Sequence, residues 1–211
     1  MSTPFGSNRV AFLCLLTALT IGLLSSMACT SKELDPRIAL DAPYEHQDRI
    51  AQFINGSNLW EAYLDYLSPV KDGASPVVEI QLEFERVITR KTNTGDYDPG
   101  VVHARLEMRN LASGRPILKN EERFAIKDFV FVGDDDATRE EVQAAAFAST
   151  EKTAMRFVLR LLQMGVIGGM RAEGTTGSAF IPALEETVED PLAGDLAAAA
   201  RQALGVIRGG G

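Results

Sequence analysis

The side chains able to do chemistry in this 211-residue chain are few and scattered, with two Cys and two His in all. His46 and His103 each stand alone, with no second His or Cys at the spacing that metal ligation uses. His103 falls on the polar side of an expected strand, where a solvated imidazole is the ordinary reading. Asp134, Asp135 and Asp136 are contiguous, whereas a calcium loop spaces its oxygen ligands and closes with a bidentate acid. They read as the approach to a helix. Glu79, Glu83 and Glu85 recur with period two, which makes a solvated row on one strand rather than an acid–base pair. Gly165-Val-Ile-Gly-Gly169 follows an expected helix instead of opening one, so its amides do not form a phosphate cradle. No Gly-x-Ser-x-Gly elbow occurs. The expectation is a non-enzymatic chain with no catalytic residue, no metal and no cofactor.

The remaining reactive group is Cys29. Cys14 lies in the apolar run of residues 10–24, and Cys29 closes the stretch Leu24-Ser-Ser-Met-Ala-Cys29 behind that run. Arg9 supplies one positive charge ahead of it, and Ser25, Ser26 and Ala28 are slim enough for a peptidase cleft. A charged start, an apolar middle and a small-residue cut site make a secretory signal over residues 1–28, with cleavage after Ala28. The run is shorter than the roughly 20 residues a spanning helix needs.

The stretch resembles the lipobox of bacterial lipoproteins, with Ala28 before the cut and Cys29 as the lipidated residue. Ser26 stands where Leu is the commoner residue. The resemblance implies acylation at Cys29, palmitate among the chains, and a membrane-anchored protein without a spanning helix. Thr30 follows the Cys in place of the Asp that often retains such proteins on the inner membrane. That implies the outer membrane, with the domain facing the periplasm. A plain signal peptide leaving Cys29 free is the alternative. One acyl chain alone binds membranes marginally, with a partition constant of about 10⁴ M⁻¹, so stable anchoring takes more than one. Loss of both Cys to removal and acylation leaves no thiol for a disulfide, so the fold rests on its core.

Charge narrows the partners. The chain carries a formal net charge of −8, and cutting before Cys29 removes Arg9 and no acid. Nucleic-acid binding depends on Lys and Arg neutralising phosphate, so this balance argues against it.

These groups need positioning elements, and the sequence marks them. Residues 29–43, with Asp35-Pro36 and Ala42-Pro43, read as a tether. Apolar residues then recur at helical intervals through Ile50, Phe53 and Ile54, and again through Leu59, Trp60, Tyr63, Leu64 and Leu67. Asn55-Gly56-Ser57 divides two short helices, the second capped by Ser57 or Asn58. The aromatic stripe Trp60, Tyr63, Tyr66 is read as core. From Val77 to Lys91 the chain alternates, with Val78, Ile80, Leu82, Phe84 and Ile88 on one side and acids on the other. Residues 93–100 make a broad turn, and Val102, Ala104, Leu106 and Met108 return. Opposed charges on the outer side of these two strands are expected to pair across the ladder. Ile117 to Val132 supplies a third extended run. Thr138-Arg-Glu-Glu141 is a capping box that opens a helix reaching about Met164, ended by Gly165, Gly168 and Gly169.

The predicted fold is α+β over residues 44–170, a three- to four-stranded antiparallel meander with helices packed on one face. Residues 171–211 read as a low-complexity tail, poorly ordered or weakly docked, with a possible helix over 192–207. An amphipathic helix for a partner is the alternative there.

The strand pair, the Gly-containing turn Arg109-Asn-Leu-Ala-Ser-Gly-Arg115, Phe129-Val-Phe131-Val-Gly133 and a closing helix with Arg156 and Arg160 are similar to the lipopolysaccharide-assembly lipoproteins. That family opens with a strand close behind the Cys, which the 30–43 pattern does not display. The resemblance implies envelope assembly, with a barrel protein or assembly factor as partner. A periplasmic lipid-binding or sensor module is the competing expectation, and it requires a continuous apolar cavity of a few hundred Å³.

Overall fold

Alternation in Val78–Val87 and Val101–Asn110 produces the two central strands, β2 and β3. Val78, Ile80 and Leu82 on β2 and Val102, Leu106 and Met108 on β3 turn inward and are buried. Glu79 opposes Arg109, Glu83 opposes Arg105 and Glu85 opposes His103 in the antiparallel register. The third strand, β4, is Pro116–Ala125, antiparallel to β3 with an irregularity between Met108 and Arg109. The turn between β3 and β4 uses Gly114 at φ +67°, a left-handed position glycine adopts without steric cost. Asn110 steadies this turn: its amide oxygen accepts from the Ser113 amide at 3.1 Å, and its backbone N–H donates to the Arg115 carbonyl at 3.0 Å.

This computed structural model describes residues 33–67, 75–87, 101–125 and 139–209. They all fall within one unit, Lys32–Gly211. The turn at 93–100, the aromatic segment 129–133, Asp134 to Asp136 and Thr138 lie outside the described residues.

The sheet gains a fourth strand where a tether was expected. Ile38–Asp41 forms β1, parallel to β2, with Ile38 aligned to Val78. Two helices, α1 (Tyr44–Asn55) and α2 (Asn58–Leu67), make the crossover that a parallel pair needs. The strand is only four residues long and buries Ile38 at its start, so periodicity does not reveal it. Its hydrogen bonds come from β2, and its entry is fixed by Arg37. That guanidinium donates to Asp35 at 2.7 Å and to Asp65 of α2 at 2.6 Å. Arg37 also holds the Asp35 carboxyl below the usual carboxylate range. The sheet is therefore mixed, in the order β1-β2-β3-β4, and the β2–β4 part is the expected meander.

Helices cover the inward side, giving the α+β class. Trp60 and Tyr63 of α2 are buried in the core, as the stripe reading anticipated, and Tyr66 is half-buried beside them. The long helix α3 spans Arg139–Ala172, passing through the glycines expected to stop it. Interior glycines cost a helix about 1 kcal/mol each relative to Ala. Two of them lie where a neighbour approaches closely. A Cβ on Gly165 would stand 3.2 Å from the Leu118 side chain and from Met108 Sδ, and one on Gly169 would meet the Tyr63 ring. Space for the sheet and for α2 thus replaces helix termination as the reason these residues are Gly.

The carboxy-terminal segment is docked rather than loose. A 3₁₀ turn (Gly174–Phe180) leads into α4 (Ile181–Glu189) and α5 (Asp195–Ile207). Phe180, Leu184, Ala200 and Ala203 are fully buried in the same core as Trp60. The stripe on α5 is thin because it is largely Ala, and small side chains let helices approach closely. Arg160 ties α3 to Asp195 and to the Ala193 carbonyl, while Arg208 of the segment's end pairs with Glu185. Among the described residues no helix is long and apolar enough to cross a membrane.

Candidate functional site

Among the described residues two places gather carboxylates around a buried histidine, on different parts of the fold. The first is the sheet face turned away from the helices. Arg105 reaches Glu83 at 3.4 Å and Glu121 at 3.8 Å, while Glu107 takes Arg109 at 2.7 Å and Lys119 at 3.5 Å. The hydrogen bond from Arg109, reinforced by Lys119, lowers the Glu107 carboxyl's pKa. The expected cross-strand pairing is present between Glu83 of β2 and Arg105 of β3, which stand opposite each other. Between these ladders runs an open groove of about 320 Å³, walled by Gln81 and Glu83 of β2, Arg105 and Glu107 of β3, and Lys119 and Glu121 of β4.

His103 belongs to this face but is not solvated. It is 4 % exposed, held by Glu121 at 2.6 Å on Nε2 and flanked by Glu85 at 3.8 Å on Nδ1. The correction has a simple cause: carboxylates on both neighbouring strands lean over a ring in the middle strand. Period two assigns a side of the sheet and says nothing of how tall the neighbours are.

The second place is built by helices. His46, in the first turn of α1, is 6 % exposed and lies tilted against the Phe84 ring of β2, with the ring centroids 4.7 Å apart. Its Nε2 faces Glu151 of α3, with Oε1 at 2.8 Å. The pair is close, yet among the described residues Nε2 has no hydrogen-bond partner. Glu45 completes the group, and one donor atom from each of the three residues lies within 4.8 Å of the others. In the sequence His46 is solitary, with no second His or Cys at ligand spacing. Glu45-His46 was the only local signal, and Glu151 arrives from a distant helix.

A second cleft, of about 290 Å³, opens where the α1–α2 corner meets α4 and α5, near Asn58, Gln163, Glu186 and Asp190. Asn58 donates to Glu186 across it at 2.6 Å. In the interior, Tyr63 packs against Phe180, and its hydroxyl pKa is pushed up to about 12 by burial and then by the charge of Glu173. Between the sheet and α3, near Ala104, Leu106, Phe157 and Val158, the free space is about 10 Å³.

Ala28 and Cys29 lie outside the described residues. No family model, no curated protein and no solved structure matches the chain.

Proposed function

We propose that this chain is a non-enzymatic lipoprotein of the cell envelope, tethered to the outer membrane through acylated Cys29, whose domain binds a protein partner during envelope assembly. The sequence Leu24-Ser-Ser-Met-Ala-Cys29 supports the place of work. The observation that carries the binding reading is the division of the sheet into two unlike faces. One is filled by helices, and the other is an open, ion-paired surface with a groove of about 320 Å³.

A polar surface with neutralised charges suits a reversible protein contact, where charged groups fix register and select partners more than they add affinity. Glu83, Glu107 and Glu121 of that face are paired with Arg or Lys, which favours recognition over acid–base chemistry. The finer reading, a role like that of lipopolysaccharide-assembly lipoproteins, draws support from β1. A strand close behind the Cys and followed by a helix is the opening that family uses, and Ile38–Asp41 followed by Tyr44–Asn55 has that order.

A carrier of acyl chains would need a long apolar hollow between sheet and helix. Beside Leu106 and Val158 the space is about 10 Å³, room for no more than a single water, so that part of the seam holds no acyl chain.

The test is site-specific photo-crosslinking in intact envelopes, with the crosslinker at Gln81 or Lys119 on the open face. Recovery of one barrel protein or assembly factor from both positions, and none from a crosslinker at exposed Tyr44 on α1, is expected. Equal recovery from all three positions, or from none, would count against the open face as the binding surface.

A further inference from the structure

We propose that Glu45, His46 and Glu151 form a binding site for a divalent transition ion of the zinc class, joining α1 to α3. The donor set is one imidazole nitrogen and two carboxylate oxygens, three protein ligands that leave a fourth position for water. The nitrogen favours Zn²⁺ over Ca²⁺ and Mg²⁺, which take oxygen ligands in larger numbers.

The geometry points the same way. An ion about 2.1 Å from each donor sets tetrahedral ligands about 3.4 Å apart. Here Nε2 and Oε1 are 2.8 Å apart, and the three donors lie within 4.8 Å, so modest carboxylate rotations reach that separation. A buried nitrogen with a carboxylate beside it but no hydrogen bond to it is an uncommon arrangement in a folded protein. A cation between the two satisfies both atoms at once. Phe84 backs the imidazole from the sheet side and limits its rotation. Exposed Glu45 and the Glu151 side chain, 23 % exposed, leave a path from solvent.

The inference is independent of partner binding, since the site lies away from the open sheet face. Its test is calorimetric titration of the metal-stripped full-length protein, in detergent, with Zn²⁺. One equivalent per chain is expected. Glu45→Gln and Glu151→Gln, which change no buried apolar group, should each weaken binding by at least about tenfold. His46→Gln should abolish it, with circular dichroism reporting whether the fold persists. Absence of uptake by the natural chain, or unchanged affinity in either Gln variant, overturns the proposal.

Discussion

A Cβ placed on Gly169 would stand 2.7 Å from the Tyr63 hydroxyl oxygen, so α2 and α3 touch where α3 has no side chain. One residue earlier, a Cβ on Gly168 would meet nothing within 4 Å. Gly169→Ala is expected to destabilise by about 1–3 kcal/mol through overpacking, outweighing the gain in helix propensity. Gly168→Ala should stabilise by roughly 0.5–1 kcal/mol, because it restricts the unfolded chain and meets no neighbour. Urea midpoints at constant m-value measure both. Similar shifts of one sign would contradict the close approach.

Phe180 joins the carboxy-terminal segment to the core, with its ring 4.6 Å from Tyr66 and 6.1 Å from Tyr63. Phe180→Ala should cost about 3–5 kcal/mol, the range for a fully buried aromatic. Truncation after Ala172 should remove the near-ultraviolet circular dichroism signal while helical signal remains. A truncated chain that unfolds with unchanged midpoint would show that the segment is not docked.

Alkaline stability depends on Tyr63. Its pKa is about 12 folded and about 10 unfolded, so below pH 10 both states carry the phenolic proton. Between the two values only the unfolded chain loses it, the folded state binds more protons, and stability falls as pH rises. The natural chain should lose up to about 2 kcal/mol more than Tyr63→Phe between pH 10 and 12. Denaturant titrations at each pH read the difference, and parallel curves would contradict it.

Glu83 and Arg105 face each other on the solvent side of β2 and β3. Both are more than half exposed, so a double-mutant cycle to Ala should give a coupling of only about 0.2–1 kcal/mol. The coupling should shrink in 1 M salt, where the screening length is about 3 Å. A coupling above that range, or one indifferent to salt, would mean that the pair is not the exposed contact described.

The elements legible in the sequence are those whose pattern is local. Val78, Ile80 and Leu82 alternate with Glu79, Gln81 and Glu83, and that pattern alone decides which side of β2 meets helices. Trp60 and Tyr63 recur at helical spacing and are core. What escaped depends on partners distant in the chain. β1 is held by hydrogen bonds to β2 and by the Arg37 contacts, none visible in four residues. Gly165 and Gly169 look like helix stops until the Leu118 and Tyr63 side chains that need their space are known. The Ala-rich face of α5 looks too thin to bury, yet Ala200 and Ala203 are the small contacts of a close-packed helix. His46 and Glu151 are neighbours only because the start of α1 meets α3 at this point, so no spacing rule reports them.

The central claim is that Cys29 anchors this domain in the envelope, and metabolic labelling with an alkyne palmitate analogue tests it most directly. Labelled cells should yield a tagged, membrane-associated protein, and the Cys29→Ala variant should carry no label. Label that persists in the variant, or a natural chain that takes up none, would contradict the account.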